Sequence, residues 1–187
     1  EIDAAAELQR LQNHPTLKSE IREYAESGTM FIAINTRQAQ LKDPRVRMAL
    51  GLALDRNQIL TQVLRRSGKP AATLQTEGIA GRNPDAWPKE DLARARQLLA
   101  EAGFPNGAGI PELTYTHNSN DQQRLLAEHL QQRWKETLGV ALKLESMEFA
   151  SFLKWRHEKE WPSRGGLYAA TWFSDYEDPN NWFNMLW

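Results

Sequence analysis

From residue 29 onward, segments with the period of a strand alternate with segments carrying the i, i+3, i+4 apolar spacing of a helix. That alternation constrains the fold more than any other feature. TMFIAIN (29–35), ELTYTHN (112–118), VALKLESME (140–148) and LYAATWF (167–173) read as strands. Helical spacing fills two runs within 43–66, then 89–103, 120–139 and 150–159. Such an order predicts an α/β fold with a mixed, mainly parallel sheet flanked by helices. The boundaries carry their own signals. Asp43 and Asp55 suit N-caps, Pro44 suits a first helical turn, and Gly103 and Gly139 suit helix ends. Val46, Leu50 and Leu54 make a buried stripe on the first of these helices, and Ile59, Leu60, Val63 and Leu64 are the apolar positions of the second. The apolar run 29–35 predicts a strand buried on both faces.

Before residue 29, the spacing predicts a helix over 3–12 with Asp3 as its cap, and a second over 16–27 ended by Gly28. Residues 67–88, with three Gly and three Pro, predict a loop packed on the surface. PNNWFNMLW (179–187) begins a further helix.

Composition excludes several classes of function. The chain has no cysteine, so disulfides, thiolate metal sites and thiol nucleophiles are out. Its 23 basic and 24 acidic side chains leave a net charge of −1, which gives no global attraction to nucleic acid or anionic lipid. No apolar run approaches the ~20 residues of a spanning helix. EIDAAAELQR lacks the layout of a secretion signal, and the missing initiating Met leaves removal of one open. No Gly-x-Ser-x-Gly, His-Glu-x-x-His or phosphate loop is present, and His14, His117, His129 and His157 have no metal-ligand spacing. His157 with Asp175, or Asp175 with Glu177, can be cast as an acid/base pair. The expectation is no enzyme, no cofactor and no metal.

Aromatic residues are unevenly placed. Eleven of the 39 residues from Phe149 to Trp187 are aromatic, against six of the preceding 148. Trp155, Trp161, Trp172, Trp182 and Trp187 all fall there. This concentration points to a local aromatic cluster or a recognition surface.

Four blocks, in order across 31–184, carry a resemblance. AINTRQAQLKDPRVRMALGLALDR looks like the segment that opens the second lobe of the large solute-binding proteins of peptide and dipeptide ABC transporters. ARQLLAEAGFPNG resembles that family's Leu-Leu-x-Glu-Ala-Gly-aromatic-Pro block. WKETLGVALKLESMEFASF resembles its Leu-Gly-Val strand entry and short helix, and TWFSDYEDPNNWFN its Trp-x-x-Asp-Tyr-x-Asp-Pro block. The resemblance implies one lobe of a type II periplasmic-binding-protein-like clamp, with 1–28 as a helical lead-in from a missing first lobe and 29–187 as the lobe itself. It implies a substrate-binding component of an ABC importer, periplasmic or otherwise extracytoplasmic. Its partners would be a peptide ligand, a membrane permease and the missing lobe of the same protein, with no nucleic acid. A lipid anchor is left open. A ligand-sensing domain of a regulator, or a binder of oligosaccharides or metal chelates, is the alternative within the same fold.

The resemblance also assigns a candidate site. Asp175 matches an aspartate that pairs with a peptide's α-ammonium group, although a turn or cap aspartate fits W-F-S-D-Y equally well. Trp172 matches a pocket-wall indole and, on the face of Ala170, suits a core equally. Phe149 and Arg156 match ligand-facing positions, with Arg156 able to hold a carboxylate at two points, although an ordinary surface arginine is the commoner case. Asn118 matches a pocket-edge amide, although a turn asparagine fits equally well, and Tyr176 belongs to the surface that faced the other lobe. Trp182, Phe183 and Trp187 are expected near an exposed patch that faced the other lobe. Glu177 and Asp178 are expected in a turn and at a helix start. Some oligopeptide binders carry an Arg on the strand where this chain has Ala169 and Ala170.

Overall fold

The computed structural model describes residues 5–22, 27–157 and 166–184. Its centre is one four-stranded sheet of β1 (Gly28–Ile34), β2 (Leu113–Asn118), β3 (Leu142–Met147) and β4 (Leu167–Phe173), in the order β1-β4-β2-β3. β2 runs parallel to β3 and to β4, while β1 is antiparallel to β4. The mixed, mainly parallel sheet read from the sequence is therefore present, and all four expected strands share it.

The helices are α1 (Ala5–Gln12), α2 (Ala39–Lys42), α3 (Pro44–Leu52), α4 (Arg56–Gln58), α5 (Leu92–Glu101), α6 (Asp121–Leu138), α7 (Phe149–His157) and α8 (Pro179–Phe183). Asp43 caps α3, accepting from the Arg45 N–H at 2.8 Å, with Pro44 in the first turn. Asp55 caps α4 with bonds from the Asn57 and Gln58 N–H groups. α4 runs on into a π-helical turn, Ile59–Val63, that keeps Ile59 and Leu64 buried.

α6 presents Leu126, Leu130, Trp134 and Leu138, spaced by four, to the sheet and to α3. Each such side chain contributes roughly 1.5–3 kcal/mol by leaving water. The Trp134 Nε1–H donates to the Leu50 carbonyl at 3.0 Å, so its one polar group is satisfied inside the core. Gly139 ends α6 at φ 70°, and a Cβ there would collide with the Asn106 carbonyl. Only glycine suits both conditions.

Three expectations on the fold are corrected. A helix over 16–27 is replaced by a short 3₁₀ turn, Leu17–Ser19, with residues 20–22 non-helical and 23–26 outside the described residues. The His14 Nδ1 takes the N–H groups of Thr16 and Leu17 instead, and no residue of the turn is buried, so nothing rewards a longer helix. β1 is not buried on both faces. It is an edge strand part-buried on both faces, with Met30, Ile32 and Ile34 packing against the core and Thr29 its one buried residue. Trp182 is not at a surface. It is fully buried, leaving Phe183 as the exposed aromatic of α8. Asp3, Trp161 and Trp187 lie outside the described residues, as does the side chain of His157.

The loop over 67–88 packs as expected. Its Gln75 and Ile79 are buried, the Arg82 Nε–H donates to the Gln75 carbonyl at 3.2 Å, and Trp87 lies against Gly51 of α3.

Candidate ligand-binding site

β2, β3 and β4 are mutually parallel through β2, so their carboxyl ends point the same way. In open α/β sheets, ligands bind beyond those ends. The candidate residues occupy them. Asn118 closes β2, Phe149 begins α7 just after β3, Trp172 lies near the end of β4, and Asp175 and Tyr176 follow it.

The register divides these residues into two groups. β4 pairs with β2 only at Tyr115↔Leu167 and Thr116↔Tyr168, and continuing that register sets Asn118 level with Ala170. Trp172 and Phe173 therefore project past β2, with β1 residues Thr29 and Gly28 as their partners.

At the sheet end of this ledge, α7 covers Tyr168. The rings of Phe152 and Trp155 meet Tyr168 edge-on at 6.1 Å and 6.0 Å, and the Arg156 guanidinium carbon lies 5.5 Å from its centroid. A cation over an aromatic face is a stabilising contact in its own right. Arg156 is thus placed on Tyr168. Phe149, at the first turn of α7, is more than half exposed. Glu148, which the sequence reading passed over, caps that turn by accepting from the Ala150 and Ser151 N–H groups at 2.8 Å and 3.2 Å. Those bonds hold its carboxyl below the usual glutamate range. The Asn118 carbonyl closes a turn, accepting from the Asn120 N–H at 2.9 Å and facing the Nδ1 of buried His117 at 2.8 Å.

At the projecting end, Trp172 and Asp175 are joined through Asn181. The Trp172 indole N–H donates to the Asn181 Oδ1 at 2.9 Å, the Asp175 backbone N–H donates to the same oxygen at 3.4 Å, and the Asn181 Nδ2 donates to the Asp175 Oδ2 at 3.4 Å. Asn181 is fully buried while Asp175 is exposed, so a fixed amide carries a carboxylate that faces solvent. Beside it, the Asn180 Nδ2 donates to the Tyr176 hydroxyl at 2.8 Å. Both amides belong to the first turn of α8, which Asp178 caps by accepting from the Asn180 N–H at 2.8 Å. Asp178 therefore has the helix-start position expected of it. Asn181 was missed because N-N-W-F gives no local sign that a side chain will reach back to a strand.

The cluster suits recognition of a cation with an apolar body. The carboxylate attracts an ammonium group, and Trp172 and Tyr176 offer aromatic faces; Phe149, Phe173 and Phe183 are further exposed aromatics of the chain. Among the described residues, no three His, Asp or Glu side chains gather as metal ligands. A groove of about 660 Å³ is lined by Pro44, Met48 and Leu52 of α3, Leu98 of α5, and Pro88, and no candidate residue lines it.

The whole chain, residues 1–187, matches the family described as bacterial extracellular solute-binding proteins, family 5 Middle. It is 30% identical over 166 residues to the periplasmic murein peptide-binding protein MppA of Escherichia coli K12, covering 85% of this chain and 30% of that protein. It is 32% identical over 177 residues to the periplasmic oligopeptide-binding protein OppA of Salmonella typhimurium, covering 91% of this chain and 32% of that protein. The solved structure of the Escherichia coli murein tripeptide binding protein MppA superposes with a TM-score of 0.83 at 27% identity, covering 98% of this chain and 36% of that one. The chain spans about a third of the length of the relatives it matches.

Proposed function

The chain belongs to the bacterial extracellular solute-binding proteins of family 5, and from that premise we propose that it is one lobe of a peptide-capturing component of an ABC importer. Its work is capture outside the cytoplasmic membrane and delivery to a permease, with no chemistry performed on the ligand. The lobe spans 29–187, and 1–28 leads in from the first lobe of the same protein. Relatives named for murein peptide and oligopeptide binding support a peptide as the ligand.

The observation that carries the reading is the exposed carboxylate of Asp175 on the buried Asn181, next to Trp172 at the free end of β4. A peptide bearing an α-ammonium group supplies the cation, and its backbone and side chains meet the aromatic faces. At about 4 Å and an effective dielectric near 20, such a pair attracts by about 4 kcal/mol before desolvation. Contacts on both lobes favour a closed clamp over an open one, which gives a permease a ligand-dependent shape to recognise.

Mass spectrometry of the small molecules released on denaturing the natively purified full-length protein tests this reading. Short peptides are the expected cargo. Oligosaccharides or metal chelates without peptides would overturn it.

A further inference from the structure

We propose that Asn181 is a positioning residue for recognition of the ligand's amino terminus, holding the Asp175 carboxylate and the Trp172 indole in one fixed arrangement. The inference rests on the reading of Asp175 as the ammonium partner, and it assigns the specificity of that contact to a side chain that itself touches no ligand.

The geometry of the amide carries the argument. Its oxygen has two lone pairs and receives two donors, the Trp172 Nε1–H at 2.9 Å and the Asp175 backbone N–H at 3.4 Å. Its nitrogen then faces the Asp175 Oδ2 at 3.4 Å. With both donors on the oxygen side, the amide has one sensible orientation, and the nitrogen must point at the carboxylate. Asn181 is fully buried, so turning it would leave polar atoms unpaired away from water. The exposed Asp175 thus inherits an orientation that it lacks by itself. The same helical turn repeats the device one residue away, where Asn180 orients the Tyr176 hydroxyl at 2.8 Å. Asp178 and Pro179 set that turn, so two consecutive amides of α8 fix two consecutive side chains of the loop after β4.

Preorganisation of this kind strengthens binding by removing the cost of ordering a mobile carboxylate when the ligand arrives. The amide's hold on the carboxylate acts only on ligands that use that group, whereas its hold on the Trp172 indole acts on free and acetylated peptides alike and cancels in their ratio. The readout is therefore the ratio of dissociation constants for an N-acetylated peptide and its free-amine form, measured calorimetrically on the full-length protein.

Asn181→Ala removes all three bonds. Asn181→Leu removes them while keeping the volume, and carries the same test should the alanine variant fail to fold. Either variant is expected to lower the ratio about tenfold or more, the scale of a lost hydrogen bond to a charged group. Any loss that comes from the freed Trp172 indole falls on both peptides and leaves the ratio unmoved. In an Asp175→Asn background, Asn181→Leu should leave the ratio unchanged. If both peptides weaken together and the ratio survives, Asn181 is merely structural and the inference is overturned, while the reading of Asp175 stands. If the wild type does not distinguish the two peptides, the reading of Asp175 fails and the inference falls with it.

Discussion

The guanidinium carbon of Arg156 lies 5.5 Å from the centroid of the Tyr168 ring, across the seam between α7 and β4. This contact ties the helix after β3 to the strand that carries the candidate site. Arg156→Ala should lower stability by about 0.5–1 kcal/mol, the scale of a partly exposed cation–π pair. Arg156→Lys should recover part of that loss. Chemical denaturation of the two variants checks the ordering.

Gly139 should tolerate no side chain. Its φ of 70° and its closeness to the Asn106 carbonyl both oppose a Cβ. Gly139→Ala should cost more than the roughly 1 kcal/mol typical of a left-handed conformation alone, because the backbone at Asn106 must also move. A midpoint of denaturation unchanged from the wild type would contradict the account of how α6 is stopped.

Glu148 should report on the start of α7. Hydrogen bonds from the Ala150 and Ser151 N–H groups favour its charged form, so its folded pKa lies below that of the unfolded chain. The stabilisation is therefore present above the unfolded pKa and is lost as pH falls through the folded value. Amide resonances of Ala150 and Ser151, followed by NMR, should titrate at a pH below that of an ordinary glutamate. In Glu148→Gln that titration should vanish.

Much of this fold is written in short signals along the chain. Asp43, Asp55 and Gly139 are where capping chemistry puts them, and all four strands lie within two residues of their expected bounds. Those features depend on neighbours a few residues away. What escaped the sequence depends on distant partners. Periodicity marks TMFIAI as apolar but does not say that it lies at a sheet edge, where both faces stay part-covered. Trp182 looks like part of an exposed aromatic patch until α8 turns it inward, fully buried. The role of Asn181 exists only once β4 and α8 meet, six residues apart in sequence at Asp175 and nine at Trp172. Of the candidate residues, Trp172, Asp175 and Tyr176 gather around α8. Arg156 sits instead on Tyr168, Asn118 at the end of β2 and Phe149 at the start of α7.

The most direct test of the central claim is a pair of calorimetric titrations on the full-length protein, using one bound peptide with a free amino terminus and the same peptide N-acetylated. The free amine should bind at least about 30-fold more tightly, the equivalent of about 2 kcal/mol, the lower end for losing one partner of a desolvated charge pair. Asp175→Asn should erase that advantage. Equal affinities of the two peptides for the wild type would contradict the assignment of Asp175 as the ammonium partner.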